Sequence, residues 1–267
     1  YFDFSGYADM AIGVGRMFGI KLPLNFNSPY KSTSIIEFWS RWHLTLTRFF
    51  NVYLYTPITL HATRWRAKRS LSISTKDISD VGSIMFLLVW PTLITLTLVG
   101  LWHGAGWTFI LFGFLHGVAI VTNHLWRKVK TKIWRAKNNH LWSVFYSWFL
   151  TFVFLTITLL IFRAANWDTA LNILYGMMGL DGRLLVTVGY VPFLEPFSFL
   201  IGELNVSEEP LMYFQGRTQL AWIGACILLV LIAPNTNEWM HRYMLSSDKQ
   251  SPCLYIPKFA LWRPTLV

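Results

Sequence analysis

The sequence predicts an all-α, polytopic membrane helical bundle, and three observations carry that expectation. Hydrophobic residues make up 54% of the 267 positions and charged residues only 13%, whereas soluble domains run nearer a quarter charged. Residues 81–101 and 141–162 are runs of 21 and 22 positions without a charge, long enough to cross about 30 Å of hydrocarbon at about 1.5 Å per residue. The basic residues gather beside such runs, as in "HATRWRAKR" (61–69) and "WRKVKTKIWRAK" (126–137). That is how cytoplasmic loops flank membrane spans, and anionic headgroups attract the same charges.

The elements follow in order. Residues 1–20 form an apolar helix in which Asp3, Asp9 and Arg16 must face protein or water. Gly15 and Gly19, with Ala11 before them, form a small-residue stripe suited to close helix approach. "KLPLNFNSPYKST" (21–33) is a turn-rich link. Ser34 and Glu37 have capping-box spacing, and a continuous helix is expected from there to Pro57. On it Glu37 and Arg41 can pair four residues apart, while Ser40, His43 and Thr47 share another face.

A basic loop is expected over 61–80, then spans over 81–101 and 104–123, with Gly100, Gly104 and Gly106 flanking a turn around His103. A second basic loop covers 124–140 and a span covers 141–162. Residues 163–179 read as a short amphipathic helix capped by Asn166 or Asp168. Residues 184–201 read as a broken or interfacial segment, 202–217 as an exposed loop, and 218–233 as a fourth span. Residues 259–267 look like the start of one further element. The chain opens at Tyr1, already inside an apolar element. It is therefore read as one partial membrane domain, 1–267, with its opening helices missing and its last helix truncated.

A net charge of +10 suggests nucleic acid, but its placement beside apolar runs excludes that partner in favour of the lipid bilayer. Fourteen tryptophans fit interfacial anchoring. Cys226 and Cys253 sit in no CxxC pattern and far from histidine, so neither a metal site nor a disulfide framework is expected. No HExxH, GxSxG or P-loop occurs, which removes the zincin, hydrolase and NTPase readings.

Histidine in an apolar segment needs a compensating reason. His103 lies in "LWHGAG" (101–106), where Trp102 and Trp107 can wall a site and Gly104 lets a substrate or backbone come close. His103 as a base and as a packing histidine weigh about equally on residues alone. His43, beside Trp39, Arg41 and Trp42, leans towards a structural role. His116 points elsewhere and suits a hydrogen bond inside the bundle. His61, His124, His140 and His241 are expected to be solvated. A buried base without a protein nucleophile suits transfer of an activated group onto a hydroxyl that the substrate brings.

"DFSGYADMAIGVGRMFGIKLPLNFNSPY" (3–30), "FWSRWHLTL" (38–46) and "LWHGAGWTFILFGFLHG" (101–117) resemble motifs of the membrane-bound O-acyltransferase family. The branch resembled is that of the bacterial alginate O-acetyltransferase membrane subunit. "LIFRAANWDTALNILYGMMG" (160–179), "APN" (233–235) and "WRP" (262–264) are similar to later segments of that branch. The resemblance implies a bundle pierced by a central tunnel in the bacterial inner membrane. It implies His103 as the catalytic histidine and His43 as the second polar residue of the tunnel, with Trp102, Trp39, Arg41 and Gly104 binding substrate and no metal. No bound cofactor is implied. Acetyl-CoA or another acyl thioester is the donor, and the acceptor hydroxyl belongs to an extracytoplasmic polysaccharide, such as alginate, or to an acyltransferase partner. D-alanyl transfer towards teichoic acid and a non-enzymatic transporter are the alternatives.

Overall fold

The computed structural model describes residues 1–75, 80–133, 141–178 and 217–240. Everything regular among them is helical. The chain divides into two units. One comprises 1–32, 36–49 and the segment from 227 onward; the other comprises 33–35 and 50–226.

In the first unit α1 (Phe2–Met17) ends earlier than the glycine stripe requires. Gly15 is buried and packs on Leu22, where an added Cβ would stand 3.0 Å from Cδ1. Gly19 lies beyond the helix at φ +72°, so it is a left-handed turn residue and not the second step of a docking stripe. The link 21–33 is held by polar pairs to a distant segment. Asn235 Nδ2 donates to Asn27 Oδ1 and to Ser28 Oγ, both at 2.9 Å, and Lys31 Nζ donates to the Ala233 carbonyl at 2.8 Å. Asn235 and Glu238 cap each other at the start of the short helix Thr236–Met240, backbone to side chain in both directions.

The continuous helix expected from 35 to Pro57 is broken. α2 covers Ile35–Trp39 and α3 covers Leu44–Phe50, with His43 between them at φ +45°. The chain turns here because residues 25–27 pair with it: Leu44 N–H donates to the Asn25 carbonyl and Asn27 N–H to the Arg41 carbonyl, each 2.9 Å. Ser40, His43 and Thr47 therefore do not share a helical face. The Glu37–Arg41 pair forms as expected, at 2.8 Å.

In the second unit the helix does not stop at Pro57. A widened π turn, Asn51–Tyr55, leads into α4, Thr56–Ala67, so the first third of the expected basic loop 61–80 is helix. The same device recurs ahead of Pro91: α5 (Val81–Ile84), a π turn (Met85–Val89) and α6 (Trp90–His103) form one rod. A proline inside a regular helix lacks a donor and presses on the preceding turn, costing about 3 kcal/mol. In both places the residue before the proline donates five positions back, Thr56 to Asn51 and Trp90 to Met85, and the opened turn makes room for the ring.

α7 (Trp107–Ile133) and α8 (Leu141–Arg163) complete the long helices. Among the described residues, three stretches are long and apolar enough to cross a membrane: Val81–His103, Trp107–Lys130 and Trp142–Arg163. The fourth expected span is helix, α10 (Arg217–Ile232), but its apolar part, Ala221–Ile232, is shorter than a crossing needs. Threonines inside the spans return their hydroxyl proton to the carbonyl one turn back, as Thr151 does to Ser147 and Thr156 to Phe152, which lets them sit in apolar surroundings. α6 and α7 form the expected hairpin with its turn at Gly104–Gly106. α9 (Trp167–Met177) follows α8, and Asn166 caps it by accepting from Thr169 N–H at 2.8 Å.

The loop between α4 and α5 is anchored by Arg66, which is buried. Its Nε donates to the Ser72 carbonyl at 2.6 Å and its Nη2 to Ser83 Oγ at 2.9 Å. Lys128 on α7 donates to the Thr75 carbonyl of the same loop, and Arg127 donates to Ser34 Oγ at 3.1 Å. Residues 184–201, the loop 202–216, "WRP", 259–267, Cys253, His140 and His241 lie outside the described residues.

Candidate active site

His103 is the last residue of α6, immediately before the chain reverses into α7. The reversal depends on glycine. A Cβ on Gly104 would stand 2.7 Å from the Phe109 ring, so the ring closes over the turn because position 104 has no side chain. Gly104 runs extended, with φ 165°, and its absence of bulk serves Phe109. Farther down the hairpin a Cβ on Gly100 would stand 2.2 Å from the Phe109 carbonyl, and one on Gly113 would stand 2.2 Å from the Leu96 carbonyl. Backbone meets backbone along this seam, which is how small residues let membrane helices approach.

The imidazole of His103 touches two rings. Trp102 lies 4.8 Å away and Phe162 of α8 lies 5.0 Å away, edge to face at 87°. Phe162 also meets Phe109 at 5.0 Å and Phe112 at 4.9 Å, so one α8 side chain supports both arms of the hairpin. His103 has no hydrogen-bond partner among the described residues, and its ring is exposed, as are Trp102 and Trp107. Trp102 packs against Phe50 at 5.9 Å.

His43, Arg41 and Trp39 belong to the first unit. The left-handed turn at His43 is fastened by Asn25: its Oδ1 lies 3.1 Å from His43 Nδ1 and accepts from the Thr45 hydroxyl at 2.9 Å. Phe4 stands edge-on to the His43 ring at 4.9 Å, and Phe26 lies tilted against it at 6.1 Å. Arg41 is committed to Glu37 and to the Asn27 carbonyl at 3.3 Å. Trp39 packs on Phe38 at 5.7 Å. His43, Asn25 and Thr45 form a small polar group within an aromatic wall, and Arg41 holds the turn that carries it.

Sequence reasoning missed Asn25 and Phe162. Asn25 carries a signal, since a lone amide between Leu24 and Phe26 in a turn-rich link is a candidate for local backbone capture. Phe162 carries none, because one phenylalanine in an apolar run looks like any other. His116 behaves as expected: it is 1% exposed and bonds Thr158 Oγ1 at 3.1 Å. His61 is exposed and His124 half-buried.

No protein-family profile matches the chain. Similar proteins do. Over 246 residues, 91% of the chain and 40% of the other protein, it is 43% identical to "Peptidoglycan O-acetyltransferase" of Helicobacter pylori. Over 172 residues, 64% of the chain and 28% of the other, it is 37% identical to "Probable alginate O-acetylase" of Azotobacter vinelandii. The chain is thus similar to proteins of the membrane-bound O-acyltransferase family. A third relative, "Teichoic acid D-alanyltransferase" of Streptococcus thermophilus, is 33% identical over 132 residues, 49% of the chain and 29% of the other. The chain thus spans less than half the length of these acyltransferase relatives.

Proposed function

We propose that the protein of which this chain is part is a membrane O-acyltransferase that acetylates a cell-envelope glycan, with His103 as the general base. The observation that carries the reading is the 43% identity across 91% of the chain with an enzyme named for O-acetyl transfer. The alginate relatives, at 37% over about two thirds of the chain, support acetyl transfer to a polysaccharide hydroxyl as well. Peptidoglycan is favoured over alginate because that relative matches at higher identity over more of the chain. D-alanyl transfer has the weaker support of 33% identity over half the chain.

In this reading the acceptor hydroxyl approaches the exposed imidazole at the turn of the α6–α7 hairpin. An imidazole's ordinary pKa of about 6.5 suits a base at neutral pH. His103 takes the hydroxyl proton as the oxygen attacks the thioester carbonyl. The tetrahedral adduct collapses, the C–S bond breaks, and the proton passes to the departing thiolate. General base help is worth about 10²–10⁴ in rate, and donors placed at the oxyanion add about 10²–10³. Acetyl-CoA, or another acyl thioester, is the donor. In this reading the protein sits in the inner membrane of a bacterium.

Membranes holding the full-length protein, supplied with acetyl-CoA labelled in the acetyl group, test this. The expected result is base-labile label in the glycan fraction, abolished by His103→Ala at equal insertion. Equal labelling by the variant would overturn the role of His103. Transfer of D-alanine with no transfer of acetate would overturn the choice of acyl group.

A further inference from the structure

We infer that His116 is a positioning residue for His103, acting through Thr158, Phe112 and Phe162. The inference rests on the proposed role of His103 and deepens it.

The path is continuous and lies within one unit. On α8, Thr158 and Phe162 are one turn apart and share a face. On α7, Phe109, Phe112 and His116 occupy one face at spacings of three and four. These two faces meet. His116 Nε2 lies 3.1 Å from Thr158 Oγ1, and Phe154 of α8 closes on the imidazole at 5.2 Å. Phe112 stands 4.4 Å from the His116 ring and 4.9 Å from Phe162. Phe162 then meets the edge of His103 at 5.0 Å and 87°.

The polarity of the pair gives it direction. The Thr158 hydroxyl donates to the Phe154 carbonyl at 3.0 Å, with the Leu155 carbonyl at 3.2 Å. Its one proton is therefore used within α8, and its oxygen is left to accept from His116 Nε2–H. Both side chains are 1% exposed, so the bond lies in apolar surroundings away from water.

Apolar packing between membrane helices does not fix their sliding position sharply, since lipid tails are as apolar as the side chains. A directed hydrogen bond does. The His116–Thr158 bond sets the register of α8 against α7, and one turn later that register places Phe162 against His103. His103 has no hydrogen bond among the described residues, so its ring plane is set by Trp102 and Phe162. A base displaced by about 1 Å can lose about 10² in rate.

The test uses the full-length protein, purified and inserted, with kcat and KM measured per folded molecule on an acetyl donor and a glycan fragment. Thr158→Val keeps the shape and removes the acceptor; kcat is expected to fall about tenfold with KM within twofold, and Thr158→Ser to recover it. Phe162→Leu keeps apolar volume and removes the ring; a similar fall in kcat is expected. The double variant is expected to be no worse than the more impaired single one, because both changes act on one path. Native kcat in Thr158→Val, or full additivity in the double variant, would overturn the inference. Should Thr158→Val fail to insert, Phe162→Leu decides alone, and native kcat there overturns it. His103→Ala runs in the same series. An inactive His103→Ala beside a native Thr158→Val refutes the inference and leaves the base intact, whereas an active His103→Ala refutes the base itself.

Discussion

The carbonyl of Phe109 lies over Gly100 so closely that a Cβ built there would stand 2.2 Å from it, and Gly113 meets the Leu96 carbonyl at the same distance. The atoms in the way are backbone, so no rotamer change makes room. Gly100→Ala is expected to force α6 and α7 apart and to cost at least the 1–3 kcal/mol or so of ordinary overpacking. Because His103 follows three residues later, activity should fall with stability. Gly13→Ala is the control: nothing lies within 4 Å of a Cβ on Gly13 in α1, and removing a helical glycine gains about 0.5–1 kcal/mol. Thermal unfolding in detergent compares the two. Equal melting of Gly100→Ala and the parent would refute the tight seam.

The left-handed turn at His43 separates what its backbone does from what its ring does. At φ +45° most side chains are strained, but asparagine tolerates that region. His43→Asn is expected to preserve the turn and remove the imidazole, while His43→Val is expected to break the turn by β-branch strain. If the ring takes part in transfer, both variants lose activity and only His43→Val loses stability. Wild-type turnover in a stable His43→Asn variant would reduce His43 to a turn residue. The measurement pairs a melting curve with an acetyl-transfer rate.

The long helices and the hairpin were legible because each is written locally: an uncharged run long enough to span, a glycine cluster at the reversal, an asparagine at the start of α9. The break between α2 and α3 was not legible, because its cause lies elsewhere in the chain. Residues 38–44 alone have good helical pattern, and it is Asn25 and Asn27 of the link, pairing with Leu44 and Arg41, that turn them. The π turns were hidden for another reason. The proline at 57 reads as a stop and the one at 91 lies inside an expected span, and nothing local says that a widened turn precedes each. Gly19 misled because a spacing of four places small residues on one helix face only if the helix lasts that long, and α1 ends at Met17. At the candidate site, His103 was legible from its apolar setting and Phe162 was not, since its importance is a matter of which ring it meets.

Asn235 is expected to carry more of the first unit's stability than its place in a short polar stretch suggests. One side chain bonds Asn27, Ser28 and the Glu238 backbone at 2.8–2.9 Å. Asn235→Ala loses all three and leaves the buried Ser28 hydroxyl without that donor, so a loss of about 2–3 kcal/mol is expected. Asn235→Asp keeps the cap and loses the amide donors, so it should fall between. Limited proteolysis of the 21–33 link reads the difference. Cleavage at the parent's rate in Asn235→Ala would show that the link is held by other means.

Asp80 gives the joint between α4 and α5 a signature in acid. Its Oδ2 accepts from the Ser83 hydroxyl at 2.5 Å and its Oδ1 from Ser83 N–H at 2.9 Å, and the Arg66 guanidinium lies 3.6 Å away. These bonds, those from Ser83 first, lower the carboxyl pKa from 3.8 to about 2. A carboxyl whose pKa is depressed on folding adds stability that is fully present above its unfolded pKa of about 3.9. That stability is lost as pH falls through the folded value. Asp80→Asn keeps one acceptor oxygen and removes the charge, so it should be less stable than the parent at pH 5 to 7. The gap between the two is expected to close as pH drops from about 4 to about 2, because the parent protonates there and the variant has nothing to protonate. Denaturation of the inserted protein at each pH, read at Trp65 beside the joint, measures the gap. A difference that stays constant down to pH 2 would mean that Ser83 and Arg66 hold the joint without the carboxylate's charge.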